Sequence, residues 1–352
     1  MQLSTTTVTS ASHTATLVYG SHTNVAGQSV EYRVYPFYHY TPTLAGAAVF
    51  AVLFGIAFVT LCVQLALSCR NRTRAEQQLE IPGFSKENPF QSVSEQLADP
   101  QPVVFAPVTP CTNKRLVTKF VPLLIGMLTE CGGYIARIAS KNDVYALGPY
   151  VAQTVMLLVA AAFMAATIYM NFGRLLVLMN ATSVSFVPIR FSTTIFVACD
   201  VLSILLQAAG GSIMGATDDH TLGSNVTIAG LAVQVLVFGL FVITEIRFLL
   251  LADKVSPLTP RISRQWKILN LNLFWCSILI LVRSIVRLVE FVQGYSGYIM
   301  EHEWFIYVFD AVPMFVVGLL FIVTFPKGNL FKVEFECTSL LESSQTSVKI
   351  CP

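Results

Sequence analysis

The stretch "LVRSIVRLVEF", residues 281–291, decides how this chain is read. It lies inside an apolar run from Ile268 to Val292, long enough to cross a bilayer, yet it carries Arg283, Arg287 and Glu290. A charge near the bilayer centre costs at least about 2.5 kcal/mol even on the mildest insertion scales. Three charges in one span are tolerable only if the helix turns them away from lipid, toward other helices or a wet cavity that supplies the opposite sign. Such a run requires partners, and the rest of the chain has to provide them.

The composition does so. The 352 residues are 54% hydrophobic and 12% charged, where a soluble domain carries roughly 25% charged residues; the mean hydropathy is +0.65. Windows of about 20 apolar residues mark membrane spans, and seven occur: 43–67, 120–139, 149–170, 194–215, 227–250, 269–291 and 304–325. The expected fold class is an all-α membrane protein, a seven-transmembrane-helix bundle with the N-terminus outside and the C-terminus cytosolic. In that orientation sixteen lysines and arginines fall on the cytosolic side, against Arg33 and Lys141 outside. That is a strong positive-inside bias.

Three parts follow. Residues 1–40 read as a disordered extracellular tail, in which 11 of the first 24 residues are Ser or Thr. Residues 41–326 form the seven-span domain, and 327–352 a cytosolic tail. Within the domain the first cytosolic loop, 68–119, is rich in Pro, Gln, Ser and Glu without apolar periodicity. It reads as disordered and as a place for a cytosolic partner to bind.

Several function classes drop out. A net charge of +2 gives no basic surface for nucleic acid. There is no G-x-x-x-x-G-K-[ST] loop for ATP, no G-x-S-x-G or H-E-x-x-H motif, and no CxxC or His/Cys spacing for a metal. No cysteine is expected outside, so no disulfide framework is expected. The chain therefore reads as a protein that is not an enzyme and takes no cofactor or metal.

What remains is polar chemistry inside the membrane. Residues three, four and seven apart share one face of a helix. By that spacing Glu130, Tyr134 and Arg137 form a stripe on the second span, and Asp200, Ser203 and Gln207 on the fourth. Gln234 lies on the fifth; Arg283, Arg287 and Glu290 on the sixth; Tyr307 and Asp310 on the seventh. Gly132, Gly133, Gly210, Gly211 and Gly230 read as points of close helix approach. Glu245, with Arg247 nearby, reads as snorkelling toward the membrane surface. Two readings of the stripes stay open: interhelical ion pairs that only lock the helices together, or a shared polar cavity that also receives a headgroup. The candidate site is Glu130, Tyr134, Arg137, Asp200, Gln207, Gln234, Arg283, Arg287, Glu290 and Asp310.

These motifs resemble a known family. "GMLTECGGYIARI" at 126–138, "LGPYVAQT" at 147–154, "AATIYMNFGR" at 165–174 and "FVACDVLSILLQAAGG" at 196–211 are similar to elements of the fungal RTA-like (resistance to aminocholesterol) proteins, called lipid-translocating exporters. The opening stretch, extended through "QGYSGYIMEHEWFIYVFDA" at 293–311, continues the likeness through Glu303, Tyr307 and Asp310. The chain departs from the family pattern at Thr43, Ala47, Leu61, Ala161 and Phe325. The resemblance implies a multi-pass plasma-membrane protein that moves amphipathic lipids, sphingoid long-chain bases foremost, and gives tolerance to toxic amphiphiles. Its partners would be membrane lipids and an amphipathic small molecule. In that picture Glu130, Asp200 and Asp310 meet an amine headgroup, and Gln207 and Gln234 add hydrogen bonds. Arg137, Arg283 and Arg287 would hold the acids in place. A seven-span lipid receptor without transport is the alternative.

Overall fold

The computed structural model describes residues 2–10, 13–23, 29–34, 43–79, 113–141, 147–179, 181, 189–216, 220–255, 265–294, 297–326, 328, 330–335 and 337. Seven helical segments within it are long and apolar enough to cross a membrane. The first span is α1 (Leu44–Leu79). The short α2 (Asn113–Thr118) leads into α3 (Val121–Ser140) as the second. Then come α4 (Leu147–Leu178), α5 (Ile189–Ala216), α6 (His220–Val255) and α7 (Gln265–Gln293). After the single turn α8 (Tyr298–Glu301), the seventh span consists of α9 (Trp304–Ile306), a π-helical turn at Tyr307–Ala311 and α10 (Val312–Thr324).

Local sequence explains the boundaries. Pro122 stands in the first turn of α3, where its missing N–H costs nothing. Gly294 adopts φ +74° directly after α7, a left-handed stop that side chains resist. Pro313 lacks the N–H that would bond back to Phe309, and the chain answers with a wider π turn just before it. That turn reorients Asp310, which is buried.

The helices close a ring in chain order: each packs on the next, α10 returns to α1, and α4 meets α7 across the middle. The inner seam is aromatic and aliphatic, with Phe54, Tyr134, Met127, Tyr169, Phe241 and Phe248 buried, while leucines and valines such as Leu205, Leu236 and Leu250 face outward as lipid requires. We name the two ends of the bundle by residues, the Thr43 end and the Arg174 end.

Two expectations need correction. Helix α1 runs through Leu79 and α2 occupies 113–118, so both edges of the loop at 68–119 are helical; its centre, 80–112, lies outside the described residues. The strands Gln2–Ser10, His13–Thr23 and Ser29–Val34 pair as an antiparallel meander in the segment expected to lack order, in keeping with its many β-branched residues. Residues 330–335, after the seventh span, are helical and pack on the bundle: Phe331 stacks on Phe120 with ring centroids 6.0 Å apart.

Candidate functional site

Helix α4 serves as a ruler, because four of its residues meet four polar groups at successive depths. Nearest the Thr43 end is Gln153. Its side-chain oxygen accepts from Arg137 Nη1 at 3.4 Å, and Arg137 is buried on α3. Arg137 Nη2 pairs with Glu303 at 2.8 Å, and its Nε donates to the Tyr307 hydroxyl at 3.2 Å. Glu303 also accepts from the Thr43 N–H at 2.9 Å and from the Tyr307 hydroxyl at 3.0 Å. Partial burial alone would raise the Glu303 carboxyl, but the Thr43, Arg137 and Tyr307 donors together hold it below its ordinary value. This group ties the start of α1 to α3, α4 and the seventh span.

About 6 Å deeper, one helical turn on, the Leu157 carbonyl accepts from Arg283 Nη2 at 3.0 Å. Arg283 is ion-paired with Asp310. Asp310 in turn pairs with Arg287 at 2.9 Å, and Arg287 reaches Glu290 at 3.1 Å. Here is the counter-charge that the 281–291 stretch demanded. Glu130 and Tyr134 complete the group from α3. Both are fully buried, both are acted on by the charges of Asp310, Arg283 and Arg287, and none of their side-chain oxygens has a hydrogen-bond partner. Phe50 and Phe54 cover the Tyr134 ring at 5.6 and 5.9 Å. Beside this network lies a recess of about 40 Å³, room for two or three waters. Arg287, Glu290, His302, Phe305 and Phe309 line it.

Some 18 Å further along α4, twelve residues at 1.5 Å each, the Tyr169 hydroxyl donates to Asp200 Oδ2 at 3.0 Å. Phe196 and Phe241 enclose the Tyr169 ring at 5.3 and 4.6 Å. Between α5 and α6, Gln207 donates to Ser203 Oγ at 2.8 Å and to Gln234 at 3.2 Å, and Ser203 donates to the Gly230 carbonyl at 2.7 Å. At the Arg174 end, Arg174 is ion-paired with Glu334.

The candidate residues thus turn inward but do not share one hollow. Glu130, Tyr134, Arg283, Arg287, Glu290 and Asp310 form a central network. Arg137 belongs to the latch above it, its partner being Glu303 rather than an acid on its own helix. Asp200 stands with Tyr169 near the far end, and Gln207 and Gln234 knit α5 to α6. Glu245 does not snorkel: it is fully buried and faces Ser277. Of the five glycines, Gly211 has open space where a Cβ would stand, whereas the other four meet a neighbouring helix. Sequence reasoning left Glu303, Gln153 and Tyr169 out of the site. Tyr307, three residues before Asp310, was on the right stripe; Glu303 precedes its span and gave no periodic signal.

Several known proteins are similar to this chain over most of its length. The family model "RTA1 like protein" matches residues 123–334, from the second span through the seventh. The chain is 44% identical over 305 residues to the Saccharomyces cerevisiae protein named protoporphyrin uptake protein 1, covering 86% of this chain and 96% of the relative. To protein RTM1 of the same species it is 42% identical over 304 residues, with the same coverage. A more distant relative, 27% identical over 242 residues covering 58% of this chain and 63% of its own, is named sphingoid long-chain base transporter RSB1. No solved structure matches. A family model matched over residues 123–334 and relatives above 40% identical across 86% of the chain make this multi-pass membrane protein a member of the RTA1-like family.

Proposed function

We propose that this protein carries amphipathic molecules with a cationic head, sphingoid long-chain bases and their like, from the cytosolic to the outer leaflet of the plasma membrane, and so gives resistance to toxic amphiphiles. The Thr43 end faces outward and the Arg174 end the cytosol. Glu130 carries the reading: a fully buried carboxylate whose two oxygens are unbonded, beside a network already rich in charge. With every group ionised, that network holds two positive charges (Arg283, Arg287) against three negative (Asp310, Glu290, Glu130), so one more cation neutralises it. An ammonium headgroup supplies that charge and three donors for the unbonded oxygens. Asp200, deeper in the bundle, offers a second anionic station, with Gln207 and Gln234 between. The recess is too small to enclose a chain of sphingoid length, so the tail stays in lipid between helices while the head moves inside. The name of the RSB1 relative supports this cargo class.

A second cargo has its own support. The relative named for protoporphyrin uptake is 44% identical, and Trp304, Phe305 and Phe309 stack in succession beside the recess, a surface for a flat aromatic ring system. Outward flux of labelled sphingoid base from proteoliposomes distinguishes the two. We expect flux above empty vesicles and its loss in Glu130→Gln; wild-type vesicles no faster than empty ones overturn the carrier reading. Flux of protoporphyrin alone favours the second cargo.

A further inference from the structure

Glu245 on α6 belongs to none of the groups used so far. It is fully buried and neither carboxylate oxygen has a hydrogen-bond partner. From α7 the Ser277 hydroxyl, itself buried and otherwise unpartnered, faces it, and the buried Cys276 thiol is beside it. Phe248 packs on Trp266 at 6.1 Å, which fixes how the antiparallel α6 and α7 pass each other. Further along α7, Asn270 is a buried amide with neither polar atom bonded. From α4, Tyr169 is acted on by Glu245 and Asp200 alike, and Asp200 Oδ1 is also unbonded. The two acids are thus neighbours through one tyrosine.

Among the described residues no lysine or arginine acts on either acid. The titratable groups facing the pair are Tyr169 from α4, Cys199 from α5 and Cys276 from α7. Arg247, two residues along α6, starts roughly 200° around the helix from Glu245. In the central network every acid has arginine within electrostatic reach; here the surroundings are hydroxyls and thiols. A buried carboxylate without counter-charge has to be neutralised. Acids of this kind within spans serve as proton relays, and a tightly packed interior favours the smallest cation. We infer that Glu245, joined to Asp200 through Tyr169, is a proton-loading site that couples the bundle to a transmembrane pH gradient. This rests on the carrier reading for its purpose but not for its existence.

Two measurements on the purified full chain separate those questions. In proteoliposomes, an imposed pH gradient should accelerate wild-type sphingoid-base flux several-fold. Glu245→Gln should lose that acceleration while keeping gradient-free exchange. Wild-type flux indifferent to the gradient, acceleration retained in Glu245→Gln, or an equal acceleration by a sodium gradient at matched pH overturns the coupling. Infrared difference spectra across a pH titration need no cargo: a protonated-carboxyl band should appear in wild type, vanish in Glu245→Gln and shift in Ser277→Ala. Absence of the band from wild type overturns the site itself. Its presence without flux leaves the site standing and removes the carrier. Should Glu245→Gln fail to fold, the Ser277→Ala band shift decides, and an unmoved band counts against the assignment.

Discussion

Asp310 holds two arginines at once, so the cost of losing one of them depends on what remains behind. Losing one partner of a buried ion pair costs up to about 3–5 kcal/mol, and without Arg283 only Arg287 is left to balance Asp310, Glu290 and Glu130. Arg283→Ala should therefore lower the thermal midpoint of the purified protein sharply, and pairing it with Asp310→Ala should recover part of the loss; a double variant no better than the single one would show that Asp310 and Arg283 do not share one interaction. Glu303 gives a pH-dependent counterpart. Its carboxyl is held below the ordinary glutamate value in the folded protein, so its contribution is complete above that ordinary value and fades as pH falls through the lower, folded value. Thermal midpoints of wild type and Glu303→Gln should differ at neutral pH and converge in acid. At this scale the sequence was most legible for groups on one helix: Arg283, Arg287 and Glu290 were recognisable by spacing alone. Partners from a different span, such as Glu303 for Arg137 and Tyr169 for Asp200, depend on which helices meet, and no periodicity encodes that.

Helices α5 and α6 meet along a seam where glycine is required. A Cβ on Gly210 would collide with the Thr227 hydroxyl and come within 2.5 Å of the Gly223 carbonyl; one on Gly223 would approach the Gly210 carbonyl at 2.6 Å. Both obstacles include backbone, so the helices must separate. Because Ser203, Gln207, Gly230 and Gln234 bond across the same seam, separation breaks those bonds too. Gly210→Ala should cost about 1–3 kcal/mol, the usual range for overpacking. Its neighbour Gly211 meets nothing within 4 Å, so Gly211→Ala should be neutral or gain up to about 1 kcal/mol from helix propensity. Thermal unfolding of the two variants in one detergent tests the seam, and equal effects would refute it. From sequence both glycines looked alike, since each is small and each adjoins an apolar helix; only the direction of each across the seam separates them. The π turn was hidden for a related reason. Pro313 announces a break in the α ladder, but whether the chain kinks, ends or widens is settled by the burial of Asp310 against Arg283 and Arg287.

Across the whole molecule, α4 spans the distance from Gln153 to Arg174, 21 residues or about 32 Å, close to the roughly 30 Å of a hydrocarbon core. The Arg137–Glu303 latch and the Arg174–Glu334 pair are therefore about one hydrocarbon thickness apart, with the central network in the half nearer Thr43. The seven spans were readable because hydropathy over 20 residues is a strong local signal. The division of their polar residues into separate groups was not, because depth and azimuth come from how the ring closes. Orientation follows from charge. Among the described side chains, Arg70, Lys114, Arg115, Lys119, Arg174, Lys267 and Lys332 gather at the Arg174 end, while Lys141 is at the other. By retention of lysine and arginine on the cytosolic side we propose that the Thr43 end is outside. In a background with the native cysteines replaced, His302→Cys should react with a membrane-impermeant maleimide on intact cells, whereas Arg115→Cys should react only after permeabilisation. The reverse pattern would invert the bundle, put the Glu303 latch on the cytosolic side and turn the proposed outward carrier into an inward one, which is why this labelling should precede any assignment of transport direction.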